Sequence, residues 1–160
     1  MYSIAVLDDE IHLAQSIANY LSSCGFDTTS FVTSERLLVS NAAKPFDAVV
    51  TDWCLDHVMQ EDTIWQLRTI PGFRANPILV LTGWHEESPQ YDQLRRVAGA
   101  AHLAVRVKPY SVKQLADDLL ALIEGRQKYD HRPQRVPYGR RLSGVSSDDR
   151  MMSPLQSFSR

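Results

Sequence analysis

The chain is poor in several things. Two cysteines in 160 residues, Cys24 and Cys54, are too few for the disulfide framework that staples small secreted domains, so reduced thiols in a cytoplasmic setting are expected. No apolar run approaches the roughly 20 residues that a membrane-spanning helix needs, and no membrane partner is expected. The first apolar stretch, Ile4 to Leu7, meets Asp8 and Asp9 at once, which argues against a secretory signal. Charge of one sign is also lacking: 17 basic residues against 19 acidic ones leave −2, a balance that selects no partner by itself. The five histidines, His12, His57, His85, His102 and His131, share no metal-ligand spacing. Neither cysteine has the nearby His and Asp pattern of a catalytic nucleophile.

What is there is unevenly placed. Residues 126–160 hold 8 basic and 3 acidic residues with three prolines, two glycines and six serines. Such a segment cannot bury enough apolar surface to offset the entropy of ordering it. A flexible basic tail is therefore expected: a solvated extension, an arginine-rich arm or a linker to something longer. Arg140 and Arg141 are its best electrostatic candidates for DNA, but no helix-turn-helix pattern follows them. Residues 1–125 carry nine basic against sixteen acidic residues, a net −7, and are expected to form one domain.

Within 1–125, strand and helix patterns alternate. Ser3 to Leu7 reads as a buried strand. Leu13, Ile17, Tyr20, Leu21 and Cys24 recur at helical spacing, and Gly25 marks the stop. Phe26 to Phe31 and Phe46 to Thr51 read as further strands, with a short helix between them capped by Ser34. Ile64 and Leu67 mark a third helix closed by Pro71 and Gly72, and Pro77 to Leu81 is the strongest strand. A helix over Tyr91 to Ala98, a strand over Leu103 to Val107 and a helix from Val112 to Ile123, capped by Ser111, complete the series. Five such pairs predict an α/β fold, a doubly wound five-stranded parallel sheet with helices on both faces. That layout puts a ligand site outside the carboxyl ends of the strands.

Four of the five strand ends carry chemistry: Asp8 and Asp9 on the first, Asp52 on the third, Thr82 on the fourth and Lys108 on the fifth. Three crowded carboxylates repel one another unless a cation or a raised pKa relieves them. Hard oxygen donors favour magnesium, whose shell readily takes a phosphate oxygen. A lysine and a hydroxyl at the same edge can grip phosphoryl oxygens, so the set suits moving a phosphoryl group on or off a carboxylate.

On these motifs the chain resembles the receiver domain of two-component response regulators, a flavodoxin-like family. The resemblance rests on Val6-Leu7-Asp8-Asp9-Glu10, Val49-Val50-Thr51-Asp52-Trp53, Val80-Leu81-Thr82-Gly83 and Val107-Lys108-Pro109-Tyr110. It implies a phosphorelay switch rather than a turnover enzyme, with Asp52 accepting phosphate from a sensor histidine kinase or phosphotransfer protein. Asp8, Asp9, Asp52 and the backbone carbonyl of Cys54 would hold Mg2+; Thr82 would bond the phosphoryl and Lys108 pair with it. It also implies a Lys108–Pro109 peptide that is often cis, and room for the phosphoryl at Gly83. The output partner would be a downstream protein or a second copy, met on the fourth helix, fifth strand and fifth helix. DNA binding would need the tail or a further effector domain.

The chain also departs from that pattern. The loop after Asp52 reads Leu55-Asp56-His57-Val58-Met59-Gln60, without the usual Met-Pro pair and later glycine, which loosens the expected turn. Val105 stands where receivers usually carry an aromatic that swings inward, so the switch is weaker or uses another group, with Tyr110 as the candidate. Trp84 is placed to shield an acyl phosphate. Trp53 and Trp65 read as packing residues. A phosphorylation-independent interaction module stays open as the alternative. A hydrolase of the haloacid dehalogenase type fits poorly, because it needs Asp-x-Asp on the first strand.

Overall fold

A computed structural model describes residues 1–125; the expectations for the basic tail lie outside the described residues. Strand β1 (Ser3–Leu7) is built of small and β-branched apolar residues and is buried from Ile4 onward. Helix α1 (Ile11–Ser23) turns Ala14, Ile17, Ala18 and Leu21 inward. Gly25 at φ 93° closes the turn after it, a left-handed value that favours glycine. Cys24, expected on the core face, is exposed, because the helix has ended by that residue. Strand β2 (Asp27–Phe31) and helix α2 (Ser34–Ala43) follow. The cap of α2 is Thr33, whose hydroxyl accepts from the Arg36 backbone N–H at 3.5 Å; Ser34, the residue expected there, is the first helical residue.

Strand β3 (Ala48–Asp52) leads into an unexpected two-stranded hairpin, β4 (Cys54–Leu55) and β5 (Val58–Met59). Asp56 and His57 make its turn with φ of 45° and 66°, the mirror-image turn that suits the twist of paired strands. Gln60 pins the hairpin: its amide nitrogen donates to the Val58 carbonyl while its Oε1 accepts from Ser34 and Thr63. Far from loosening, the stretch is tied at both ends. Helix α3 (Glu61–Thr69), strand β6 (Ile78–Thr82), helix α4 (Pro89–Ala101), strand β7 (Ala104–Val107) and helix α5 (Val112–Ile123) complete the order. Ser88 caps α4 ahead of Pro89, and the helix runs through Gly99 to a left-handed His102. The apolar pattern of Val97, Ala98 and Ala101 outweighs one glycine, whose cost in a helix is about 1 kcal/mol.

The main sheet is parallel in the order β2-β1-β3-β6-β7. Side-chain alternation along its strands sends Val49, Ile78, Val80 and Val105 to one core under α2, α3 and α4, and Val50, Leu79, Leu81 and Ala104 to the other under α1 and α5. Each buried Val, Leu or Ile among them contributes about 1.5–3 kcal/mol of transfer free energy. The chain leaves β1 for β2 on one side and comes back to β3 on the other. The crevice at that reversal lies between the carboxyl ends of β1 and β3. No described helix is long and apolar enough to cross a membrane.

Candidate functional site

Strand register decides which side chains meet. Leu7 pairs with Thr51, so Asp8 follows β1 beside Asp52 at the end of β3. Asp52 is opposite Leu81, one residue before Thr82, and Thr82 is opposite Val107, one before Lys108. The Lys108 backbone N–H donates to the Thr82 carbonyl at 2.7 Å, carrying the β6–β7 ladder past the last strand residue. The Lys108–Pro109 peptide is cis.

Lys108 Nζ donates to Asp52 Oδ2 at 2.6 Å and stands 3.6 Å from Asp8 Oδ2. The other Asp52 oxygen, Oδ1, accepts from the Cys54 backbone N–H at 3.2 Å, which holds the start of the hairpin against the carboxylate. Asp8 Oδ1 accepts from the Glu10 N–H at 3.0 Å, and Asp9 Oδ2 from the Asp56 N–H at 3.0 Å. The hairpin therefore closes over the acidic end of β1. Thr82, 1% exposed, accepts from the Trp84 N–H at 3.1 Å, which leaves its hydroxyl proton to give elsewhere. Trp84 packs its ring edge-on against the buried Trp53, centroids 6.3 Å apart.

The electrostatics follow from burial. Asp8 is 4% exposed, and desolvation pushes its carboxyl above the usual aspartate value. The Glu10 N–H and Lys108 pull the other way, while Asp52 and Asp9 push it up further. Burial works to lower the Lys108 ammonium, but the bond and charge of Asp52, with the charge of Asp8, win and raise it. The Cys54 thiol is pushed up by burial and by Asp52 and Asp9, so it stays protonated. Among the described residues no three His, Cys, Asp or Glu side chains form a metal-holding cluster. Magnesium does not need one, since it keeps several waters and takes one or two carboxylates plus a phosphate oxygen. The donors fit that demand: hard oxygens only, and a buried Asp8 whose negative charge a cation would stabilise.

The structure thus brings Asp8, Asp9, Asp52, Thr82 and Lys108 to one sheet edge, with Cys54 leading away from it. Val105 is 1% exposed and lies in the α3–α4 core. Tyr110 packs against the opposite core and donates its hydroxyl to Asp118, so it stands across the sheet from Val105. Sequence reading missed Arg106, which is 1% exposed and pairs with Asp118 at 2.6 Å. A signal was there: a charged residue inside the apolar run Leu103 to Val107 has to find a partner, and Asp117 and Asp118 lie on the next helix. Trp65, expected to pack, is 40% exposed.

Comparison with solved structures decides the fold. The receiver domain of Francisella response regulator 1452 matches with a TM-score of 0.65 at 20% identity, covering 79% of this chain and all of that one. Vibrio cholerae chemotaxis protein CheY4 matches with 0.67 at 21% identity, covering 76% and 98%.

The fold is that of a response-regulator receiver domain.

In this fold the five charged and hydroxyl residues lie at the carboxyl ends of β1, β3, β6 and β7, beside the point between β1 and β3 where the strand order reverses. In sequence, the phosphate regulon transcriptional regulatory protein PhoB of Rhizobium meliloti (strain 1021) is 28% identical over 120 residues. That stretch is 75% of this chain and 51% of PhoB, so the chain spans about half the length of the curated relative it matches. No protein-family model matches the chain.

Proposed function

We propose that residues 1–125 are the receiver of a cytoplasmic two-component response regulator, phosphorylated on Asp52 by a histidine kinase or phosphotransfer protein. The observation that carries this reading is the Lys108 ammonium 2.6 Å from Asp52 within an otherwise acidic strand edge. An Asp52 oxygen attacks the phosphorus of a phosphohistidine in line; an O–P bond forms, the N–P bond breaks, and its electron pair leaves on the imidazole. Lys108 moves from the free carboxylate to a phosphoryl oxygen, and the Thr82 hydroxyl donates to another. Asp8, Asp9, Asp52 and the Cys54 carbonyl would hold Mg2+, which when bound neutralises charge on the transferring group. The protein acts on itself, promoting its own phosphorylation and dephosphorylation, and a partner reads the shifted conformational population. The domain boundary near residue 125 and a separate basic segment of 126–160 belong to the same proposal.

A second reading, a receiver-like module that works without phosphate, draws on two observations. Asp52 is already satisfied by Lys108 and Cys54, and Val105 offers no aromatic switch. Intact mass after treatment with a small acyl phosphate and Mg2+ separates the readings. The switch gains one phosphoryl group, lost in Asp52→Ala and reduced in Lys108→Ala; the module gains none.

A further inference from the structure

A cavity of about 850 Å³ opens between α3, the loop after it and the end of α4, and a second of about 370 Å³ adjoins it. The two share Trp65 and Ala100. The indole of Trp65 lines both cavities, 40% exposed, with its Nε1–H 3.5 Å from Glu61 Oε1. The floor is short and apolar, with Val97 and Ala101 buried and Ala100 at the surface. Arg68 anchors the base: Nε donates to the Ala101 carbonyl at 2.9 Å and Nη1 to that of Asn76 at 2.7 Å.

The charge here runs against the rest of the domain. Residues 1–125 have only nine basic side chains, of which Arg95, Arg106 and Lys108 face carboxylates. Two of the other six, Arg74 and Arg96, line this one groove, and among the described residues the carboxylate lining it is Glu61. Arg74 and Arg96 are exposed and have no carboxylate partner among the described residues. An exposed tryptophan flanked by arginines on a small-residue floor has the composition of an interface centre. A nucleic acid would use the same arginines. Its long phosphate array, however, would meet the −7 of the surrounding domain after a few contacts, whereas a short acidic segment touches the groove alone. The segment 126–160, at +5, has the wrong sign to fill it.

We propose that the α3–α4 groove docks an acidic segment of a partner protein, with one bulky apolar side chain packed on Trp65 and carboxylates facing Arg74 and Arg96. This surface shares α4 with the output face implied by the receiver resemblance but opens towards α3, and it does not depend on chemistry at Asp52.

The test titrates the full chain with a synthetic peptide of glutamates flanking one phenylalanine, followed by amide chemical shifts and tryptophan fluorescence. Expected are shifts centred on Trp65, Arg74, Arg96 and Ala100, and weaker binding as salt rises. Arg74→Glu with Arg96→Glu should weaken binding about tenfold or more. Trp65→Ala should weaken it as well, while thermal unfolding of both variants stays near the parent's. Equal binding of the lysine-for-glutamate peptide, tighter binding of oligothymidine, shifts centred elsewhere, indifference to the charge reversals, or no binding at millimolar peptide would each overturn the proposal.

Discussion

Asp8 shows how a single residue can set function against stability. Its carboxylate is buried and crowded, so its pKa is raised on folding. The folded state therefore holds this proton more tightly than the unfolded chain. Stability from that difference is full below the ordinary value of 3.8 and is lost as pH rises through the folded value. At neutral pH the charged Asp8 is a net cost. Asp8→Asn, which keeps an oxygen for the Glu10 N–H, should raise the melting temperature in metal-free buffer. The gap from the parent should widen as pH climbs past 4 and should not shrink. Added Mg2+ should stabilise the parent by mass action and leave the variant less affected. An Asp8→Asn melting point at or below the parent's at pH 7 would refute this account. At Tyr110, by contrast, burial and the Asp118 bond hold the phenol at about 12 despite Arg106, so it remains a neutral donor.

At the scale of elements, β7 and α5 are joined by charge and the β4–β5 hairpin by backbone geometry. Arg106 donates to Asp118 and to the Val105 carbonyl, bridging strand to helix under the loop that carries Lys108. Asp118→Ala strands a buried guanidinium, and breaking such a pair costs about 3–5 kcal/mol. Denaturant unfolding of Arg106→Met with Asp118→Leu should recover most of that loss, because apolar replacement of both partners removes the stranded charge. In the hairpin, His57 at φ 66° occupies a conformation that costs an L-residue about 1–2 kcal/mol. His57→Gly gives the Asp-Gly pair that mirror-image turns favour, and after the added unfolded-state entropy it should stabilise by about 0.5 kcal/mol. Unchanged or lower stability would mean that the turn is held by its flanks alone. The hairpin was hard to read because two-residue strands carry no periodicity, and Asp-His lacks the glycine that usually marks such a turn. Four of the five main strands were readable because buried parallel strands are continuous apolar runs, and their ends were clear because each stops at a charged or hydroxyl residue; the edge strand β2, polar and partly exposed, has neither mark.

For the whole molecule, both cores of the described residues are complete sheet-and-helix layers, and residues 126–160, with six serines, three prolines and few aliphatics, have too little apolar surface to add another. A chain cut after Gly125 should therefore melt within about 2 °C of the full chain, since 1 kcal/mol moves a domain of this size by about 2–8 °C. A larger drop would put residues 126–160 inside the folding unit.

The alternation of apolar runs with helical periodicity was enough, before any coordinates, to specify a parallel sheet wound on both faces and to put acids, a hydroxyl and a lysine at its strand ends. Local sequence carries that information because burial acts on each strand and helix separately. Distances are another matter. That Lys108 bonds Asp52 and stands within ion-pair distance of Asp8, that Asp9 is held by the hairpin and that Arg106 pairs with Asp118 depend on register and on crossings between distant segments. The α3–α4 groove depends on them too, since Trp65, Arg74 and Arg96 share no sequence pattern until two helices pack side by side.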